Sequence, residues 1–134
     1  MKTMLKIAQA TLLTVAASAS FVGTAQADVN DALQNICTIV QANDKGELRK
    51  KMRTVENDFK LKLQDYYNGI TCSGESLIRT AFKANALETG ELLVKKMPKS
   101  QLNSPEADGL TIRAWVSENG FMDTPLANIL NERI

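Results

Sequence analysis

Ser73-Gly74-Glu75-Ser76-Leu77-Ile78-Arg79-Thr80-Ala81-Phe82-Lys83-Ala84-Asn85-Ala86-Leu87-Glu88-Thr89-Gly90-Glu91-Leu92-Leu93-Val94-Lys95-Lys96-Met97-Pro98 reads as two helices joined by a tight turn. Ser73 or Ser76 can accept an orphan backbone N–H and so cap the first helix. Leu77, Ile78, Ala81 and Phe82 then fall on one apolar face at helical spacing. Asn85 can end that helix, because Asn tolerates the left-handed conformation. Leu92, Leu93 and Met97 give the second helix its buried stripe, and Pro98 stops it.

The same pattern recurs on both sides. Ile36-Cys37-Thr38-Ile39-Val40-Gln41-Ala42-Asn43 matches Ile78–Asn85 at a constant offset, with Ile, Thr, Ala and Asn identical. Gly46-Glu47-Leu48 through Met52 matches Gly90-Glu91-Leu92 through Met97 with one residue inserted. A fainter third copy runs from Ile112-Arg113 to Asn119-Gly120, with Asn119 placed opposite Asn85. Spacings of this size belong to helical repeat arrays.

Between the copies the pattern weakens. Asn30 or Asp31 can cap a first helix that presents Ala32, Leu33, Ile36 and Val40. Residues 54–70 carry two periods. Val55, Phe59, Leu63, Tyr66, Tyr67 and Ile70 fit one helical face, whereas Phe59, Leu61 and Leu63 alternate with lysines as a strand would. The helix is preferred, stopping at Asn68-Gly69. Pro98, Pro105 and small polar residues make 98–109 a loop, with the next helix starting at Ser104-Pro105 or Asp108. Leu110–Val116 is also read as helix, although its residues suit a strand too. Trp115 lies with Ile112, Val116 and Asn119 on its inward face. Asp123 and Thr124 before Pro125 mark a last helix start, with Leu126, Ile129 and Leu130 turned inward. The expected fold is all-α, a stack of two or three helix-turn-helix hairpins.

The first 27 residues differ in kind. Lys2 and Lys6 precede an uncharged stretch from Ile7 to Val22, and small Ala25 and Ala27 follow. That is the layout of a secretory signal peptide, with cleavage expected after Ala27. Gln9, Thr11, Thr14, Ser18 and Ser20 make the same stretch a poor membrane anchor. The expected division is therefore a leader over 1–27 and a single helical domain over 28–134, with no integral membrane segment after the leader. The expected location is the periplasm, with the extracellular space as the alternative.

The chain holds two cysteines, Cys37 and Cys72. In an oxidising compartment an even pair reads as a disulfide. A redox pair is usually Cys-x-x-Cys, and a zinc site wants His, of which the chain has none. One disulfide, Cys37 to Cys72, is expected.

Two resemblances follow from these residues. The segment from Gly74 to Leu93 resembles a single ankyrin repeat, without the Thr-Pro-Leu-His signature; Thr124-Pro125-Leu126 occurs in another register. The segment around Cys37, the basic run Arg49 to Arg53, and Cys72-Ser73-Gly74 with the hairpin after it resemble a family of exported bacterial proteins. That family is known only as a domain of unknown function, number 3718, and the resemblance implies no activity.

The chemistry legible in the residues is sparse. With no His, the commonest general base is absent and Ser–His or Cys–His nucleophiles are excluded. No Gly-rich phosphate loop or dinucleotide fingerprint occurs, and no cofactor is expected. Asp58 with Asp65, or Glu88 with Glu91, could serve a carboxylate-pair hydrolase, although Glu91 and Lys95 suit an i,i+4 surface pair. The chain is expected not to be an enzyme. Sixteen basic and fifteen acidic side chains leave it near neutral, which argues against nucleic acid as a partner. The pointed surface feature is Arg49-Lys50-Lys51-x-Arg53, where Glu47 can reach Lys50 and Lys51, Glu56 can reach Lys60 and Asp58 can reach Lys62. The expected function is a periplasmic protein-interaction module, an adaptor or inhibitor, with Arg49, Lys50 and Arg53 in contact with its protein partner. An anionic lipid or polyanion is the alternative for the same basic helix.

Overall fold

The computed structural model describes residues 29–134. The leader over 1–27 and its cleavage site lie outside the described residues. The order of elements is α1 (29–41), α2 (Lys45–Phe59), α3 (Leu63–Tyr66) running into a 3-10 turn (Tyr67–Gly69), α4 (Leu77–Lys83), α5 (Leu87–Lys96), α6 (Lys99–Leu102), α7 (Ile112–Glu118) and α8 (Pro125–Arg133). Every regular element described is helical, and residues 32–134 form one compact unit. No helix among the described residues is long and apolar enough to cross a membrane.

Three hairpins, α1–α2, α4–α5 and α7–α8, are closed by the same turn. Asn43, Asn85 and Gly120 each adopt the left-handed conformation, with φ of 58°, 54° and 79°. The N–H of each donates to the carbonyl three residues back, Val40, Phe82 or Ser117. The next N–H donates five residues back, to Ile39, Ala81 or Val116. This is a Schellman motif, which satisfies the last carbonyls of a helix. The offset between the first two turns is as the sequence match required. The third copy is one residue out: Gly120, not Asn119, stands where Asn85 stands. Asn119 is still helix-capping, and its Nδ2 donates to the Trp115 carbonyl at 2.8 Å. The helix starts agree, since Ser76 accepts from the Arg79 N–H and Thr111 from the Ala114 N–H.

Neighbouring hairpins pack like on like. α4 lies against α7, and α5 lies between α2 and α8. Ile36, Val40, Leu48, Val55, Leu77, Ile78, Leu93, Val94, Ile112 and Val116 are fully buried along this line. Between the second and third hairpins Phe82, Trp115 and Phe121 form an aromatic cluster, with Trp115 and Phe121 stacked at 5.5 Å. The closest approach is at Gly90, where an added Cβ would sit 2.5 Å from a methyl of Leu126. Gly46 meets nothing comparable, and it is the second residue of its helix whereas Gly90 is the fourth of its own. The two glycines paired by sequence are therefore not equivalent in space.

The disulfide Cys37–Cys72 is formed. It ties α1 to a tight turn in which Cys72 and Glu75 exchange backbone hydrogen bonds. Ser73 and Gly74 at its centre both have positive φ, so Ser73 is a turn residue and Ser76 alone caps α4.

Other boundaries depart from the sequence reading. Asn30 and Asp31 lie inside α1 rather than before its first turn. The single helix expected over 54–70 breaks after Phe59, where Lys60 turns left-handed and Lys62 is extended. The break lets Leu63, Tyr66, Tyr67 and Ile70 all reach the core, which a straight continuation of α2 would carry away from it. The loop expected over 98–109 contains α6, because Leu102 is a fully buried anchor. Neither Ser104 nor Asp108 starts α7; Thr111 does. Thr124 and Pro125 start α8 as expected.

Candidate functional site

Two places gather polar side chains from distant parts of the chain. The first is centred on Arg79 of α4, which is 5 % exposed. Its NH1 and NH2 fork onto Asp108 at 2.7 and 2.9 Å, and NH2 also donates to the Leu110 carbonyl at 3.2 Å. Its Nε lies 2.7 Å from Glu106 Oε1, and Glu75 stands 3.9 Å from NH1. The guanidinium rests 5.2 Å over the Trp115 ring. The Tyr67 hydroxyl donates to Glu106 at 2.8 Å and lies 3.1 Å from the Ser76 hydroxyl. Asp108 is pulled down to about 2, first by its hydrogen bond from Arg79 and then by the Leu110 N–H. Arg79 is raised by the same bond. Tyr67 is pushed up by burial and by the Glu106 carboxylate, and Tyr66 is raised to about 12 by burial, with Glu56 adding to it. A shallow groove of about 410 Å³ opens over this cluster. One guanidinium thus faces three carboxylates, and the network fastens the 103–111 connection onto α4.

The second place is a cleft of about 440 Å³ lined by Arg49, Met52, Arg53, Glu56, Lys62, Leu63, Gln64 and Lys96. Three elements build it. Arg49, Arg53 and Glu56 stand on α2, at helical spacing. The left-handed turn at Lys60 brings the chain back, so that Lys62, Leu63 and Gln64 supply a second wall. Lys96 comes from the last turn of α5, which packs on α2. Met52 and Leu63 are buried and make an apolar floor. Four cations meet one carboxylate here. Among the described residues none of the four is in an ion pair.

Arg49 and Arg53 are thus brought together as the sequence suggested. Lys50 is exposed but does not line the cleft, being about 100° round the helix from Arg49. Lys62 and Lys96 were not foreseen, and no local pattern announces them. The lysine partners expected for Glu47, Glu56 and Asp58 are not engaged by them; Lys60 instead reaches the Asn57 carbonyl. Of the acids considered for hydrolysis, Asp65 accepts the Lys62 backbone N–H at 2.8 Å and Glu91 pairs with Lys95 at 2.8 Å, which lowers Glu91. The acids that do converge, Glu75, Glu106 and Asp108, do so on Arg79. No group of His, Cys, Asp and Glu among the described residues is arranged to hold a metal ion.

Stacked helical hairpins and a disulfide define an all-helical, disulfide-bonded protein that carries a basic cleft. The model of the family described as protein of unknown function (DUF3718) matches residues 36–104, and the chain belongs to that family. The match runs from α1 through α6 and takes in both cysteines and the whole basic cleft. No curated protein and no solved structure matches the chain.

Proposed function

We propose that this protein is an exported interaction module, an adaptor or inhibitor and not an enzyme, which holds an anionic protein partner in the cleft of Arg49, Arg53, Lys62 and Lys96. The observation that carries the reading is the gathering of four cations from three elements around one carboxylate, unpaired among the described residues. Gathering like charges costs energy through mutual repulsion, and an anionic partner relieves it. The stack of helical hairpins fits the same reading, since stacked helical repeats serve as surfaces for other macromolecules. Export and a periplasmic site rest on the leader over residues 1–27 and on a disulfide that suits an oxidising compartment. The reading as a non-enzyme rests on the lack of His and on the separation of the acid pairs considered for hydrolysis, Asp65 holding the Lys62 backbone N–H and Glu91 holding Lys95. The test is a photo-crosslinking residue placed at Lys96 in the native compartment. One partner should be trapped reproducibly, and lost in R49E/R53E and at high salt. Crosslinks that are unchanged by charge reversal would end the reading.

A further inference from the structure

The cleft carries more than a sign of charge, because its cations have a spacing. Arg49 and Arg53 are one helical turn apart, an axial rise of about 6 Å. In an extended chain, side chains two residues apart share a face and are separated by about 6.6–6.8 Å. A peptide laid along α2 with acids at alternate positions would therefore bring one carboxylate to each guanidinium. Arginine forks are matched to carboxylates by geometry as well as charge. Met52 lies between the two arginines in sequence and is buried with Leu63 in the floor, so a further apolar side chain on the same peptide face has a surface to cover. Lys62 and Lys96 flank the arginines on the other two elements. A concave cleft with an apolar floor favours a single protruding chain over a flat bilayer, which cannot enter it.

We propose that the occupant of this cleft is an extended acidic peptide segment of a partner protein, of the pattern acid-x-acid followed by an apolar residue on the same face. The proposal rests on the reading of the cleft as the binding site.

The test uses the full chain without its leader, disulfide intact, and two short labelled peptides measured by fluorescence anisotropy at low salt. One contains Glu-Ser-Glu-Ser-Leu; the other contains Glu-Glu-Ser-Ser-Leu, of equal charge and composition, whose acids point to opposite faces when extended. The first should bind several-fold more tightly than the second. R49E/R53E should weaken it by about tenfold or more, as the loss of two charge-assisted contacts requires. K50E, which reverses a charge outside the cleft, should leave it nearly unchanged. Circular dichroism checks that each variant is folded; all three sites are exposed, so folding is expected to survive. Equal binding of the two peptides, or equal losses in K50E and R49E/R53E, overturns the proposal. Binding to phosphatidylglycerol vesicles that R49E/R53E abolishes, with neither peptide bound, also overturns it and gives the cleft to a lipid surface. A salt-sensitive protein crosslinked at Lys96 would still uphold the interaction module in those cases, so the two readings fail separately.

Discussion

Asn43 caps a helix of the next hairpin through Thr89: its Oδ1 accepts the Thr89 backbone N–H at 3.1 Å, and the Thr89 hydroxyl donates back to the Val40 carbonyl at 2.9 Å. The Glu88 N–H reaches the same Oδ1 at 2.8 Å. Residue 86, at the N-cap of α5, is Ala and has no side-chain acceptor to offer. One asparagine therefore ends α1, through its left-handed backbone, and begins α5, through its side chain.

These two roles separate by mutation. Asn43→Gly keeps the left-handed turn and removes the cap, so it should cost about 1 kcal/mol. Asn43→Ala removes the cap and also forces an alanine into the left-handed region, which adds about 1 kcal/mol or more. Urea unfolding of both variants checks the order. Equal stabilities would mean that the turn geometry carries no strain, and an unchanged Asn43→Gly would mean that the cap across hairpins contributes nothing.

The disulfide joins residues 35 apart in sequence and closes the connection between the first two hairpins. Cys72→Ser should lower stability by about 3–4 kcal/mol on the chain-entropy account. Alkylation before and after reduction should find no free thiol in native protein and two after reduction, since no free cysteine is present. Labelling of native material would contradict the structure.

Arg79 is buried against three carboxylates, so removing it leaves charge without compensation. Arg79→Met should cost about 3 kcal/mol, because the loss of one partner strands the other. Arg79→Lys should recover only part, since an ammonium cannot fork onto Asp108. Asp108 has a folded pKa, about 2, below its ordinary value. Its contribution is therefore complete above about pH 4 and is lost as pH falls toward 2. Acid unfolding followed by circular dichroism should be less steep in this range for Arg79→Met than for wild type. An identical acid limb would remove Asp108 from the account.

Tyr66 and Tyr67 are the two tyrosines of the chain, and both are buried. Both pKa values are raised, that of Tyr66 to about 12. The neutral form is thus favoured by folding: stability is complete below about pH 10 and is lost as pH rises through 12. Phenolate absorbance should stay flat in the native protein through pH 10 and then appear together with unfolding. In urea both tyrosines should titrate near 10. A phenolate signal near pH 10 without loss of helix would show that one ring is open to solvent.

Much of the helical plan was legible. Leu77, Ile78, Ala81 and Phe82 announced the face of α4, Asn85 its end, and Thr124-Pro125 the start of α8. Asn43 and Asn85 repeated because a left-handed C-terminal residue is a local need that small polar residues and Gly meet in any context. The break after Phe59 was hidden, because the apolar residues on both sides of it share one helical period. Lys60 pays the left-handed conformation with no turn residue to mark it. In the site, Arg49 and Arg53 were legible as neighbours on one helix, whereas Lys62 and Lys96 were not.

What the sequence determined by itself is therefore what one turn or one helix can decide: the apolar face of α4, the turns at Asn43 and Asn85, and the caps at Ser76 and Thr124. The pairing of Cys37 with Cys72 also followed, since only one pairing of two cysteines exists. The tertiary structure alone decided that Arg79 meets Glu106 and Asp108, that Asn43 caps α5, and that Lys62 and Lys96 join two arginines of α2. Those contacts span tens of residues. Periodicity and capping act over four or five residues, and which distant side chains meet is set by how the hairpins stack.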